Sequence, residues 1–114
     1  MVLYKLEREH LLNDADFARQ WVEARSGRKL GRSRIAQELR RKGIDADEAE
    51  EALSAIGEDA QLTDAIALAE KAAARAKSDE DPRKTYQRIA AMLARRGFRW
   101  DITKEALAQV LQAD

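Results

Sequence analysis

Clustered cations are the feature of this sequence that could do chemistry, because arginine and lysine side chains can bind an anionic partner such as a phosphate backbone. Residues 19–43 contain nine basic and two acidic residues, and residues 82–104 contain seven basic and one acidic residue. The stretch between them, residues 45–81, carries twelve acidic residues against three basic ones. The formal net charge of zero therefore conceals a basic, acidic, basic alternation.

Solvated helix faces are the ordinary explanation for such charges, and cations late in a helix also suit its macrodipole. Arg32 and Arg34 open one predicted helix, however, and Arg83 and Lys84 open another, where a cation is mildly unfavourable. An anionic partner accounts for these positions. The candidate binding residues in the first basic segment are Arg28, Lys29, Arg32, Arg34, Arg41 and Lys42, and those in the second are Arg83, Lys84, Arg88, Arg95 and Arg96.

Catalytic and metal-binding motifs are missing from the sequence. It contains no cysteine, and His10 is its single histidine, so disulfides, thiolate metal sites and paired histidine ligands are excluded. No glycine-rich phosphate loop or nucleophile motif occurs. We therefore expect neither an enzyme nor a protein that requires a cofactor or a metal.

Targeting signals are also missing. No apolar run approaches the roughly 20 residues that span a bilayer, and the first residues do not resemble a secretory signal. We expect a cytoplasmic protein. The absence of a long exposed apolar seam favours a monomer.

Helical periodicity places the charges along the chain. It predicts a helix over 1–12 and a second one from Asp14 to Ser26, with Trp21 in the apolar core. For Trp100 the sequence leaves burial and surface contact open. A basic helix from about Arg32 to Lys42 should end at Gly43, and Asp45 with Glu48 should form a capping box for the next helix. The second half follows the same plan, with a basic helix that should begin at Pro82 and end at Gly97.

An internal repeat underlies this plan. Residues 34–53 match residues 88–107 at a constant offset of 54 with identity at ten of twenty positions, among them Ile35/Ile89, Leu39/Leu93 and Gly43/Gly97. The predicted fold is all-α, with two tandem three-helix repeats and an N-terminal helix, divided into residues 1–12, 13–57 and 58–114. Because a unit of three short helices buries little alone, the units should stack and share a core.

The order of these segments resembles the RecX family, bacterial modulators of the RecA recombinase. The resemblance rests on LLNDADFARQWVEAR, LGRSRIAQELRRKGI and DADEAEEAL in the first unit and on YQRIAAMLARRGFRWDITKEAL in the second, and it covers residues 11–111. It implies a non-enzymatic regulator that binds the groove of the RecA–DNA filament and limits filament growth, ATP hydrolysis, strand exchange and coprotease function. It also implies that the helix over 1–12 is the remnant of a preceding repeat.

Two other functions remain open from the residues alone. A three-helix unit with a basic helix could act as a helix-turn-helix-like module that binds duplex DNA directly. A purely protein-binding helical scaffold would instead show no affinity for DNA. Under the family resemblance the expected partners are the RecA filament and single-stranded DNA, with double-stranded DNA left open.

Overall fold

Six α-helices make up the chain in this computed structural model, which describes the backbone of residues 2–111 and the side chains of residues 14–111. Every regular element among these residues is helical. The helices are α1 (Val2–Ser26), α2 (Arg32–Arg41), α3 (Ala46–Leu53), α4 (Glu58–Ala74), α5 (Pro82–Arg95) and α6 (Trp100–Leu111). The predicted all-α fold is thus confirmed.

The first three helices pack on one another around one apolar cluster. Ala18 and Val22 of α1 meet Ile35 and Leu39 of α2, and Leu53 of α3 closes the cluster. These residues recur every three or four positions along each helix, so each helix presents one apolar stripe to the other two.

The second three helices repeat this arrangement around a separate cluster. Ala65 and Ala69 of α4 contact the apolar stripe of α5 and α6, where Ile89, Leu93 and Leu107 are fully buried. The small alanine side chains of α4 allow the helices to approach closely. The residues paired by the offset of 54 therefore occupy equivalent core positions in the two units.

Glycine ends both basic helices in the same way. Gly43 after α2 has a φ of +82° and Gly97 after α5 has a φ of +95°, in the left-handed region that glycine adopts without strain. The amide of Ile44 donates to the carbonyl of Leu39 at 3.0 Å, and the amide of Phe98 donates to that of Leu93 at 3.1 Å. This 6→1 pattern is the Schellman motif, and it confirms the predicted ends of both helices.

The two units meet through backbone at a polar junction. The amide of Gly31 donates to the carbonyl of Arg96 at 2.7 Å, and the amide of Ser33 donates to that of Gly97 at 3.1 Å. A Cβ on Gly31 would overlap the backbone of Gly97, and a Cβ on Gly97 would overlap Arg34. Only glycine at both positions permits this approach.

Gln61 adds a side-chain link across the same junction. It belongs to α4, and its amide oxygen accepts from the backbone N–H of Arg32 at 3.0 Å while its nitrogen donates to the carbonyl of Leu30 at 3.4 Å. Gln61 is only 3% exposed, so its polar atoms depend on these partners. The second unit thereby satisfies a free amide at the N-terminus of α2, where no residue of the first unit caps the helix.

The expected shared core is therefore wrong. Each unit closes its own apolar cluster. The hydrogen bonds between the units join backbone groups and polar side chains. The molecule is long and narrow, with extents of 67 × 21 × 18 Å.

Three local expectations also need correction. The two predicted helices over 1–12 and 14–26 are not separate, because the single helix α1 runs from Val2 to Ser26. Asp45 is the N-cap residue of α3, but its exposed carboxylate makes no capping bond, and Glu48 Oε2 is buried without a partner among the described residues. Trp21 is half-buried at the edge of the core rather than inside it.

Candidate anion-binding site

A basic cleft lies where α2 of the first unit approaches the end of α5 in the second. We call it the junction cleft. It has a volume of about 460 Å³, and its charged lining residues are Arg34, Arg40 and Arg95. None of the described residues that line it is acidic. Cations from both units therefore converge on one concave surface, which favours an anionic ligand.

A second basic depression, which we call the α4–α5 groove, runs between those two helices and has a volume of about 380 Å³. Its charged lining residues are all cations: Lys71, Arg75, Arg88, Arg95 and Arg96. Arg95 lines both depressions. Together they form a surface that crosses the unit boundary, and we call it the basic track.

Two arginines of the basic track also hold the units together. Arg34 donates from Nη1 to the carbonyl of Arg95 at 3.2 Å. Arg96 donates from Nε to the carbonyl of Lys29 at 3.2 Å and from Nη2 to that of Arg28 at 2.7 Å. These carbonyls lie in the segments that end α1 and α5, where backbone acceptors lack helical partners. The positions of both guanidinium groups are thus tied to the docked arrangement of the units.

Glu38 lies between cations of α1 and α2. Its carboxylate accepts from Arg25 at 2.9 and 2.7 Å and from the indole N–H of Trp21 at 3.0 Å, and it lies 3.6 Å from Nε of Arg34. The hydrogen bonds from Arg25 hold the pKa of Glu38 below its usual value, and burial opposes this shift. The same contact raises the pKa of Arg25. Glu38 therefore stays ionised and anchors α1 to α2.

An aromatic pair occupies the outer face of the first unit. Phe17 and Trp21 stack with their ring centroids 5.8 Å apart, and Nζ of Lys42 lies 4.4 Å from the Trp21 centroid. A cation at this distance over an indole ring is attracted to its π face. Trp100, at the start of α6, is 59% exposed. It therefore lies on the surface rather than in the core.

The structure brings together four of the eleven sequence-predicted candidates in the basic track: Arg34, Arg88, Arg95 and Arg96. The other seven lie elsewhere. Arg28 and Lys29 are exposed beside the junction, Arg32 lies 3.9 Å from Glu50, Arg41 is exposed, and Lys42 covers Trp21. Arg83 is exposed at the start of α5, and Lys84 lines a mixed-charge depression with Asp79, Glu80 and Asp81.

Three cations of the basic track were missed from the sequence: Arg40, Lys71 and Arg75. Lys71 and Arg75 belong to a segment that is acidic as a whole, and counting charge by segment hides them. Their spacing of four residues was the available signal, because it places both on one face of α4.

Membrane and metal sites find no support in the described part of the chain. None of its helices combines the length and apolar content needed to cross a bilayer. No group of three or more histidine, aspartate or glutamate side chains between residues 14 and 111 is arranged to hold a metal ion.

Family models match most of the chain. The model for the second three-helix domain of RecX matches residues 13–53, and the model for the third three-helix domain of RecX matches residues 59–107.

Individual relatives give the same result. The chain is 36% identical to the regulatory protein RecX of Clostridioides difficile over 96% of its own length and 51% of the relative, and 40% identical to that of Mycobacteroides abscessus over 94% and 55%. The crystal structure of RecX from Lactobacillus salivarius superimposes with a TM-score of 0.83 at 29% identity, covering 98% of this chain and 73% of that one. The chain spans about half the length of the two curated relatives.

Proposed function

The chain belongs to the RecX family of regulatory proteins, and on that basis we propose that it is a non-enzymatic regulator of the RecA recombinase. In this proposal it binds along the groove of the RecA–DNA filament in the cytoplasm. It limits filament extension, and with it ATP hydrolysis, strand exchange and coprotease function in DNA repair and the SOS response.

The observation that carries this proposal is the basic track across both units. A filament groove exposes phosphate backbone along its length, and a ligand that follows it needs cations on a continuous surface. Arg34 and Arg40 come from the first unit and Lys71, Arg75 and Arg88 from the second, with Arg95 between them. The 67 Å length of the molecule supports contact with more than one subunit of a filament.

The distribution of these cations favours this function over the alternative of a helix-turn-helix-like module. Such a module reads duplex DNA mainly through a single helix inserted into the major groove. The basic track instead draws on α2, α4 and α5 and crosses the unit boundary, an arrangement better suited to following a backbone.

The test is the single-strand-DNA-dependent ATPase rate of the cognate RecA with this protein titrated in. We expect inhibition well below one molecule per recombinase subunit, weakened by the double charge reversal Arg40→Glu and Arg88→Glu. The matched control is the double reversal Arg99→Glu and Lys104→Glu, since both residues are exposed cations outside the basic track. No inhibition up to equimolar protein, or equal weakening by both double variants, would contradict the proposal.

A further inference from the structure

The α4–α5 groove differs from the rest of the basic surface in having an apolar wall. Leu68 and Met92, both half-buried, line it between the cations, whereas Ile89, which also borders the groove, is fully buried. Phosphate recognition alone does not require apolar side chains. Their presence inside a ring of cations indicates a ligand that has both an anionic and a flat or apolar part.

We propose that the α4–α5 groove binds a nucleotide unit, with its phosphate against the arginines and its base on the apolar wall. Nucleotides combine these two chemistries, and sites that hold unpaired bases commonly pair a cationic groove with a surface on which the base lies.

The cations of the groove are largely available to such a ligand. Lys71, Arg75 and Arg95 form no ion pair among the described residues, and all three are exposed. Arg88 is held 3.2 Å from Glu80, which orients it, and Arg96 is engaged with carbonyls of the first unit. The phosphate therefore belongs with Arg75 and Arg95, with Lys71 beside them.

The charges around the groove give it a direction. Beyond Arg75 and Arg88 lies the mixed-charge depression, which contains three carboxylates from residues 79–81. At its other end the groove shares Arg95 with the junction cleft, whose described lining is free of acidic residues. A strand that carries further phosphates would continue from Arg95 toward Arg40 rather than past Glu80.

Helix-terminal electrostatics do not account for the whole set. Lys71 and Arg75 lie near the end of α4 and Arg95 near the end of α5, where cations are favoured by the macrodipole. That effect places cations around each helix end without preference for a side. It explains neither their convergence on one groove nor the apolar wall between them.

The test uses the full chain without any recombinase, so its outcome is separate from that of the ATPase assay. The first probe is a fluorescein-labelled oligothymidylate of about 12 nucleotides, within the site sizes of single-strand-binding modules. An abasic strand of equal length tests the contribution of the bases, and ATP with a fluorescent ribose label tests a free nucleotide. Binding is followed by fluorescence anisotropy over a series of salt concentrations.

We expect the oligothymidylate to bind more tightly than the abasic strand. Log affinity should fall against log salt at a slope of about −2.8, one phosphate contact for each of Arg40, Lys71, Arg75 and Arg95. The double variant Lys71→Ala and Arg75→Ala should weaken binding roughly tenfold or more and reduce the slope to about −1.4. The control Arg99→Ala and Lys104→Ala removes the same charge outside the groove and should retain the slope. Circular dichroism verifies that both double variants are folded.

The two sources of the nucleotide give different results. If the strand binds and ATP competes only weakly, the ligand is a nucleic acid. If labelled ATP binds with comparable affinity, the ligand is a free nucleotide. Either outcome supports the site, provided that the Lys71→Ala and Arg75→Ala double variant loses the binding. Equal affinity for the abasic strand, equal loss in both double variants, or no binding of either probe at low salt would overturn the inference.

Discussion

At the scale of single residues, Glu38 connects the core to the surface that we assign to binding. Its carboxylate contacts Arg25 and Trp21 on α1 and approaches Arg34 on α2. The exposed fraction of the side chain is 15% for Glu38 and 22% for Arg25, so the pair is less screened by water than an ordinary surface ion pair. Loss of the carboxylate would leave a partly buried arginine without its partner.

Glu38→Gln should therefore lower the free energy of unfolding by about 1–3 kcal/mol at neutral pH. The pKa of Glu38 is lowered in the folded protein, chiefly by Arg25. Its ionised form thus contributes stability above the pKa of unfolded glutamate, about 4.3, and this contribution is lost as the pH falls from there through the lowered folded pKa. Urea unfolding of both proteins at neutral pH and below about pH 4 should show the difference shrinking in acid.

The matched control is Glu80→Gln. The pKa of Glu80 is also lowered, first by the hydrogen bond from Arg88, but its arginine partner is exposed. We expect a clearly smaller change in stability. If the difference in free energy of unfolding between the wild-type protein and the Glu38→Gln variant stays constant with pH, the carboxylate charge has no role in stability.

At the scale of elements, the two helix-ending glycines share a conformation but differ in surroundings. Gly43 and Gly97 both have positive φ. A Cβ on Gly43 would meet nothing within 4 Å, whereas one on Gly97 would overlap Arg34. Gly43 therefore only ends a helix. Gly97, at the equivalent position of the second repeat, both ends a helix and contacts the other unit.

Alanine at these positions should separate backbone strain from docking. Gly43→Ala should cost about 1–2 kcal/mol, the penalty for a non-glycine residue in the left-handed region. Gly97→Ala carries the same penalty and in addition forces the units apart, so its cost should be distinctly larger. Thermal unfolding of the two variants measures both, and equal shifts in melting temperature would show that the close approach at Gly97 is not needed for stability.

The sequence was informative wherever a local pattern decides the structure. Apolar spacing and the offset of 54 located Leu39, Leu93 and both helix-ending glycines. Contacts between units have no such pattern. The hydrogen bond from the amide of Gly31 to the carbonyl of Arg96 joins residues that are 65 positions apart. For the same reason, a count of charge along the chain overlooked Lys71 and Arg75, whose significance depends on which face of α4 meets α5.

At the scale of the whole molecule, separate cores make the two units energetically distinct. Ile35 and Ile89 are equivalent in the repeat and both are fully buried, but they belong to different apolar clusters. Substitutions that share neither neighbours nor cavity act independently on stability.

Ile35→Val and Ile89→Val should each lower the free energy of unfolding by about 0.5–1.5 kcal/mol. The double variant should equal their sum to within about 0.5 kcal/mol. Urea unfolding followed by circular dichroism gives all three values. A substantially non-additive double variant would indicate that the cores are coupled across the junction.

The amides of Gly31 and Ser33 can report whether the two units are in contact. Both donate across the junction, whereas most helical amides are shielded by a carbonyl of their own unit. We expect their hydrogens to exchange with deuterated solvent when the units separate, even while both cores stay intact. Opening of the basic track would then be an event distinct from loss of the fold, and the deuterium uptake of these two amides would report the first without the second.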